Sequence, residues 1–159
     1  MLVKVHNEEE MIALGRSLAR VLHQHDIVYL TGELGAGKTT LVRGIARGLG
    51  YTGKVTSPTF TLMNVYLSSI KIFHFDFYRL EGSDLNDLGL EDYLEKDGLS
   101  LIEWPQAGER ILPAEALMVN LELVEEDYER ERMVRISGRG HRYQVKVEEL
   151  KNYVNTSHR

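Results

Sequence analysis

The chain has 159 residues, a net charge of −5 and an ordinary apolar content, which fits one globular domain spanning residues 1–159. It contains no cysteine, which excludes a disulfide framework, a thiolate zinc cluster and a thiol nucleophile. It has neither a signal-like N-terminal run nor a stretch of roughly 18 apolar residues, so we expect a cytoplasmic protein without a membrane span.

The charge is distributed unevenly along the chain. Residues 81–131 hold sixteen Asp or Glu against three Lys or Arg, and the segments on either side are basic. Such a polarity can guide docking to charged partners, or it can reflect nothing more than solvated surfaces. The sequence leaves both explanations open.

The first elements predicted in chain order are a strand, a helix and a second strand. Leu2–Val5 is a short strand candidate. Asn7 is followed by three glutamates and predicts a helix start, because an Asn side chain caps free backbone N–H groups and acids stabilise the first turn. Apolar residues recur at helical spacing as far as Leu22, and Ile27–Leu30 has the composition of a buried strand.

A glycine-rich turn follows this strand and leads into a helix predicted over Lys38–Leu49, which Gly50 ends. Together, Gly32–Thr39 fits the pattern G-x-x-x-x-G-K-[ST], the P-loop. Its glycines let successive N–H groups point at one anion, and the helix adds its positive N-terminal end.

The P-loop predicts ATP or ADP with Mg²⁺ as ligands. Lys38 can reach the β- and γ-phosphates, and the Thr39 hydroxyl can ligate the metal. The residues predicted to bind the nucleotide are Glu33, Leu34, Gly35, Ala36, Gly37, Lys38, Thr39 and Thr40.

The second half of the chain predicts more strands than helices. Phe60–Leu67 and Ile70–Tyr78 look extended and form a predicted hairpin, the acidic Ser83–Leu94 predicts one or two short helices, and Leu99–Ile102 predicts a second buried strand. Two late antiparallel strands and a closing helix are predicted over Leu117–Val124, Met133–Ser137 and Gln144–Tyr153. This order implies an α/β, P-loop NTPase-like layered domain with a mixed parallel/antiparallel sheet flanked by helices.

Two acids are candidates for the metal partner that a P-loop needs at the end of a neighbouring strand. Glu103 follows the apolar run that ends at Ile102. Asp76 follows the strand segment Ile72-Phe-His-Phe75. Either could hold Mg²⁺, directly or through water, while the other positions the attacking water. We therefore predict Lys38, Asp76 and Glu103 as catalytic residues.

Three further features lie beside these motifs. Ser57-Pro58-Thr59 occupies the place where P-loop proteins carry a switch segment, although the proline could simply shape a connection. His74 and Asp76 share one strand face, but with no third ligand nearby we expect no zinc site. Trp104 is the only tryptophan, and the sequence alone favours a core or rim aromatic over a functional role.

These blocks, in this order and spacing, resemble the TsaE (YjeE) family of bacterial proteins. The resemblance covers roughly residues 7–125 and rests on Gly32-Glu-Leu-Gly-Ala-Gly-Lys-Thr-Thr-Leu41, Ser57-Pro-Thr-Phe60, His74-Phe-Asp-Phe-Tyr-Arg-Leu80 and Leu101-Ile-Glu-Trp-Pro105.

The resemblance implies an ATPase subunit required for the threonylcarbamoyladenosine modification of tRNA. It implies that the subunit acts on the TsaB–TsaD protein pair, and on tRNA only through that complex, without transferring the threonylcarbamoyl group itself. It further implies that Thr39, Glu103 and Thr59 are metal ligands, and we expect a weak ATPase that depends on its partners. Ser57, Thr59 and Trp104 are the candidate partner contacts.

Three other functions fit the sequence less well. A small-molecule kinase normally has an arginine-rich lid, and residues 81–131 hold few basic side chains. A GTP-dependent switch normally carries an Asn-Lys-x-Asp segment, which is absent from the sequence. A direct nucleic-acid binder would interleave aromatic and basic residues in the basic C-terminal part, and this pattern is also missing.

Overall fold

The computed structural model describes residues 1–59, 61–79, 89–108, 110–124 and 131–157, with side chains described as far as residue 154. The strands are β1 (Leu2–Val5), β2 (Ile27–Thr31), β3 (Met63–Leu67), β4 (Lys71–Asp76), β5 (Leu99–Glu103), β6 (Ala116–Leu123) and β7 (Arg132–Arg139). The helices are α1 (Glu8–Ala19), α2 (Lys38–Gly48), α3 (Leu90–Glu95) and α4 (His141–Ser157), and a short 3₁₀ helix spans Pro105–Gly108.

The strands form one mixed sheet in the order β1-β7-β6-β2-β5-β4-β3. β2 lies at its centre and pairs in parallel with β5 and β6, and β4 pairs in parallel with β5. The outer pairs β1–β7, β6–β7 and β3–β4 are antiparallel. The predicted fold class is therefore confirmed. Because carboxyl ends of parallel strands meet at one edge, β2, β4, β5 and β6 all end on the side of the sheet where the P-loop begins.

Helices cover the two faces of the sheet unequally. The larger apolar cluster lies under α1, α2 and α4, and it includes Val28 and Leu30 of the central strand. The smaller cluster lies on the other face under α3 and the 3₁₀ helix, and it includes Tyr29. Residues alternate between the faces because successive strand side chains point in opposite directions. The central strand is buried on both sides, as its continuous apolar run predicts.

Helix α1 begins as predicted, since the Asn7 side chain accepts a hydrogen bond of 2.8 Å from the Glu10 N–H. It ends earlier than predicted. The backbone turns after Ala19, where the N–H groups of Val21 and Leu22 both donate to Leu18. Val21 and Leu22 are nevertheless buried, which explains their apolar character.

The predicted β3–β4 hairpin is present, but its first strand starts at Met63 and not at residue 60. Leu62 has a positive φ of 68°, and its N–H donates to the Pro58 carbonyl at 2.7 Å, so the chain turns here. Phe60 and Leu80 of the motif blocks lie outside the described residues, as do residues 83–88 of the predicted acidic helix. The described remainder of that segment contains α3.

Strand β6 has a second partner that the sequence did not predict. The two late strands β6 and β7 are antiparallel to each other, as predicted. However, β6 also pairs in parallel with the P-loop strand β2, with Val28 opposite Leu117. The sequence could not predict this pairing because the two segments lie far apart in the chain.

Glycines set the distance between α1 and the P-loop helix α2. A Cβ added to Gly15 would lie 2.6 Å from the Leu41 carbonyl oxygen, and one added to Gly48 would lie 2.5 Å from the Ala19 Cβ. On α2, a Cβ at Gly44 would collide with the Ile12 carbonyl. The two helices therefore approach more closely than any larger residue allows, and this contact fixes α2 against the core.

The C-terminal helix α4 is tied to the start of β2 by charged groups. Asp26 is fully buried, and it forms ion pairs with Arg142 at 2.6 Å and Lys146 at 2.9 Å. Lys146 also donates to the Val21 carbonyl at 2.8 Å.

Within the described part of the chain, no helix is long and apolar enough to cross a membrane.

Candidate functional site

The turn between β2 and α2 forms a tight backbone cradle. Gly32 has a φ of 140°, and a Cβ added to it would lie 2.5 Å from the Leu121 carbonyl oxygen. Gly37 caps α2 with a φ of 106°. Residues that carry a side chain rarely adopt such φ angles, so the motif glycines are needed for this backbone geometry. The cradle thus has the shape and the helix end that suit a phosphate group.

Lys38 lies at the centre of the site and is buried. Its Nζ donates to the Gly32 carbonyl and, at 3.3 Å, to the Glu33 carbonyl. The ammonium also lies 4.4 Å from the centre of the Trp104 ring. Burial lowers the pKa of Lys38 from its usual value, while the nearby carboxylates of Glu103 and Asp76 act in the opposite direction. Lys38 therefore lies within the field of both predicted acids.

Asp76 and Glu103 lie side by side at the ends of β4 and β5. They are direct partners in the parallel register, and their exposed fractions are 3% and 2%. Asp76 accepts hydrogen bonds from the Thr59 hydroxyl at 2.8 Å and the Tyr78 N–H at 2.9 Å. The Thr59 hydroxyl is also 2.8 Å from that of Ser57. The predicted switch segment is therefore attached to one of the two acids.

Glu103 is held by a residue to which the sequence analysis assigned no role. Its Oε2 lies 2.7 Å from Nε2 of His74, and His74 Nδ1 lies 3.0 Å from the Tyr66 hydroxyl. His74 is completely buried. A histidine in an otherwise apolar strand, on the same face as Asp76, was the signal available in the sequence. The position of Tyr66 could be known only from the strand pairing.

Arg132 is a second residue that sequence reasoning missed. It lies at the start of β7, is 8% exposed, and donates from Nε to the Ala36 carbonyl at 3.2 Å and from Nη2 to the Gly35 carbonyl at 3.4 Å. The N–H of a trans peptide points away from its carbonyl. Anchoring the Ala36 carbonyl thus turns the Gly37 N–H toward the opposite side of the loop.

Trp104 lies partly buried beside Glu103, as expected of a core or rim aromatic. It is half-buried and has a positive φ of 55°, and its ring contacts both the Lys38 ammonium and the Tyr78 ring, whose centre is 4.9 Å away. The indole N–H is buried and has no hydrogen-bond partner among the described residues. Two large apolar side chains within the motif blocks are exposed, Leu34 in the P-loop and Tyr78 after β4. The role of Trp104 in partner contact stays a prediction.

The chemistry of the site fits Mg²⁺ with a nucleotide. Magnesium prefers oxygen donors and is usually held by one or two protein ligands together with phosphates and waters. The half-buried Thr39 lies in the first turn of α2, and the carboxylates of Glu103 and Asp76 end β5, which pairs with β2, and β4, the strand beyond it. The described residues contain no group of three or more His, Cys, Asp and Glu side chains that could enclose a metal ion by themselves. A shared protein–phosphate site does not require such a group.

These features define an α/β protein of the P-loop NTPase type. They are the sheet order, the unit of strand, glycine turn and helix at the centre of the sheet, and the acids at the ends of β4 and β5. A model of the family "Threonylcarbamoyl adenosine biosynthesis protein TsaE" matches residues 5–134. The chain belongs to the TsaE family, and the resemblance found in the sequence is confirmed. The family takes part in the biosynthesis of threonylcarbamoyladenosine in tRNA.

Individual relatives agree with the family match. The chain is 41% identical to the TsaE protein of Haemophilus influenzae over 125 residues, which covers 74% of this chain and 79% of that protein. It is 38% identical to the TsaE protein of Bacillus subtilis over 152 residues, covering 95% and 94%. The crystal structure of Bacillus subtilis YdiB superposes with a TM-score of 0.84 at 33% identity, covering 96% of this chain and 95% of that one.

Proposed function

We propose that this protein binds ATP with Mg²⁺ at Gly32–Thr39 and hydrolyses it to ADP and phosphate in support of tRNA threonylcarbamoyladenosine synthesis. The observation that carries the proposal is the burial of Lys38, Asp76 and Glu103 together beside a P-loop turn. In a low-dielectric site, fixed charges act strongly on a phosphoryl group. Membership of the TsaE family supports the pathway, and the site supports the reaction.

Lys38 binds the β- and γ-phosphates in this proposal. Its ammonium contacts the Gly32 and Glu33 carbonyls within the same loop, so a short side-chain rotation exchanges those acceptors for phosphate oxygens. The loop N–H groups, including that of Gly37, bind the same anion. The hydroxyl of Thr39 would ligate the metal, as is typical of this motif.

Mg²⁺, when bound, neutralises part of the negative charge on the phosphates. The two acids differ in what they have available. Asp76 accepts a hydrogen bond on each oxygen, from Thr59 and from the Tyr78 N–H. Glu103 has one oxygen engaged by His74, and its Oε1 has no hydrogen-bond partner among the described residues. We therefore assign the direct contact with metal or attacking water to Glu103, and the orientation of Thr59 to Asp76.

The protein is expected to be a weak ATPase by itself. Arg132 donates to the Gly35 and Ala36 carbonyls, and in this proposal it anchors the loop and does not act on the γ-phosphate. Adding an arginine to such a site is worth about 10³–10⁵ in rate in other P-loop proteins. The TsaB–TsaD pair would complete the site, with Ser57, Thr59 and Trp104 at the contact.

The proposal is tested by ATP turnover with and without purified TsaB and TsaD. Glu103→Gln and Asp76→Asn should abolish turnover and leave ADP affinity almost unchanged. Asp26→Asn is the matched control, because Asp26 is equally buried but precedes β2 at the opposite end of the strand from the P-loop. It should lower stability without changing the turnover of the folded protein. Turnover at the wild-type rate in Glu103→Gln would reject the assigned role.

A further inference from the structure

A buried chain of hydrogen bonds connects Glu103 to the predicted switch segment. It runs from Glu103 Oε2 to His74 Nε2 at 2.7 Å and from His74 Nδ1 to the Tyr66 hydroxyl at 3.0 Å. The Tyr66 hydroxyl then donates to the Thr56 carbonyl at 3.1 Å. Thr56 directly precedes Ser57-Pro58-Thr59 in the chain. The series of hydrogen bonds therefore crosses strands β5, β4 and β3 and ends on the backbone next to the switch segment.

The direction of this chain follows from counting hydrogens. A tyrosine hydroxyl has one hydrogen, and a backbone carbonyl can only accept. Since the Tyr66 hydrogen points to Thr56, the Tyr66 oxygen accepts from the His74 Nδ1–H, and the 2.7 Å contact between His74 Nε2 and Glu103 Oε2 then requires a second hydrogen, on Nε2 or on Oε2. With Nδ1 engaged in this way, the imidazole ring cannot rotate, and its Nε2 stays directed at Glu103. All three side chains are nearly or completely buried, so water does not replace these partners.

The same segment also reaches the other acid. Thr59 donates its hydroxyl hydrogen to Asp76 at 2.8 Å. The Asn64 amide also donates a hydrogen bond of 3.1 Å to the Thr56 carbonyl, so the side chains of Tyr66 and Asn64 both hold this carbonyl. Four consecutive residues, 56 to 59, are thus attached separately to Asp76 and to Glu103.

We propose that His74 and Tyr66 are positioning residues that orient the Glu103 carboxylate and make its orientation depend on residues 56–59. The proposal rests on the ATP hydrolysis proposed above. A segment that responds to the γ-phosphate moves Asp76 through Thr59 and Glu103 through Thr56, Tyr66 and His74. Both acids are then set by one event, which restricts hydrolysis to the state in which the segment is engaged.

Tyr66→Phe tests the proposal, because it removes one oxygen and keeps the buried ring. We expect kcat for ATP hydrolysis to fall about tenfold or more, the size of loss typical when a partner that orients a ligand is removed. ADP affinity should change less than about twofold. Tyr143→Phe is the matched control: its hydroxyl is also buried and accepts from the Ile27 N–H at 3.0 Å, at the end of β2 away from the P-loop. It should leave kcat unchanged.

A nuclear magnetic resonance measurement separates this inference from the proposed function. The ring Nδ1–H of His74 should be protected from exchange in the wild type, and its resonance should shift in Tyr66→Phe but not in Tyr143→Phe. Absence of ATP turnover in the wild type would remove the proposed function and the positioning role together, while an unshifted His74 resonance would overturn the chain alone. Wild-type kcat in Tyr66→Phe, with the resonance shifted, would overturn the positioning role alone.

Discussion

At the scale of single residues, the site depends on groups that reach the P-loop from two directions. Lys38 comes from inside the motif, and Arg132 comes from a strand almost a hundred positions later in the chain. Both are buried cations that contact backbone carbonyls of the same loop. In the proposed function, Lys38 exchanges these carbonyls for phosphate oxygens, and Arg132 holds the loop in place.

Lys38→Ala is expected to fold normally and to bind ATP–Mg²⁺ far more weakly, because phosphate charge is then uncompensated. A ligand at 100 times its Kd stabilises a folded protein by about 2.7 kcal/mol, which for this size is a melting shift of roughly 5–10 °C. The shift should be present in the wild type, lost in Lys38→Ala, and retained in Lys151→Ala, which removes a lysine from the surface of α4. Equal shifts in all three proteins would show that Lys38 does not bind phosphate.

Arg132→Gln is expected to weaken ATP and ADP binding equally. Hydrogen bonds to a charged group contribute about 1.5–3 kcal/mol, so the loss corresponds to roughly tenfold or more in affinity. Calorimetric titration with each nucleotide measures it. Arg135→Gln, on the exposed face of the same strand, should bind like the wild type. If Arg132→Gln keeps full affinity, the loop does not need its anchor.

The sequence predicted the part of the site that is contiguous. Gly32–Thr39 needs only local geometry, so its turn and helix follow from the glycines and the lysine. Arg132, His74 and Tyr66 act through contacts that exist only once the strand order is known. A single sequence contains no distance between Arg132 and Gly35, and nothing about Arg132 itself distinguishes it from its exposed neighbours.

At the scale of elements, the orientation of α2 depends on how closely it packs against α1. Gly15 on one helix faces Gly44 on the other, with 2.7 Å between the added Gly15 Cβ and the Gly44 Cα. This contact fixes α2, the helix that begins in the P-loop, against α1.

Gly44→Ala separates two opposing effects. In an exposed helix, replacing Gly by Ala stabilises by about 1 kcal/mol. Here the new methyl group collides with the Ile12 backbone, and overpacking costs typically 1–3 kcal/mol, so we expect net destabilisation. Ala13→Gly, at an exposed position of α1, measures the propensity effect alone. Denaturant unfolding of the three proteins gives both values, and a more stable Gly44→Ala protein would contradict the close packing.

Local signals also explain where the element predictions went wrong. Leucine rarely adopts a positive φ, so nothing in the sequence marked Leu62 as a turn residue, and the strand was extended back to residue 60. Val21 and Leu22 satisfied the helical spacing because they are buried, although the chain had already left the helix. Periodicity reports burial, and burial alone does not define an element's end.

At the scale of the whole molecule, α4 closes the larger apolar cluster although it lies beyond the residues matched by the family model. Leu150 is completely buried there, whereas Val145 on the same helix is 41% exposed. The buried face of α4 therefore contributes to the stability of the core, and its exposed face does not.

Leu150→Ala is expected to lower the free energy of unfolding by about 2–5 kcal/mol, because it opens a cavity in the core. Val145→Ala should change it by less than about 0.5 kcal/mol, as is usual at the surface. ADP affinity, measured well below the melting temperature, should be the same in both variants and the wild type. A loss of affinity in Leu150→Ala would show that α4 also shapes the nucleotide site.

The central position of β2 has a consequence for how the protein is made. Its neighbours pair through Ser100 and Leu117, so the strand that carries the P-loop waits for about 70–90 further residues before both of its edges are covered. At about 5–20 residues per second, a ribosome needs roughly 4–18 s to supply them, and unpaired apolar strands tend to aggregate. The Leu121 carbonyl beside Gly32 and the Arg132 anchor arrive later still. A nascent or truncated chain that stops before β6 thus contains the whole P-loop motif but lacks the Leu121 and Arg132 contacts that complete its backbone cradle.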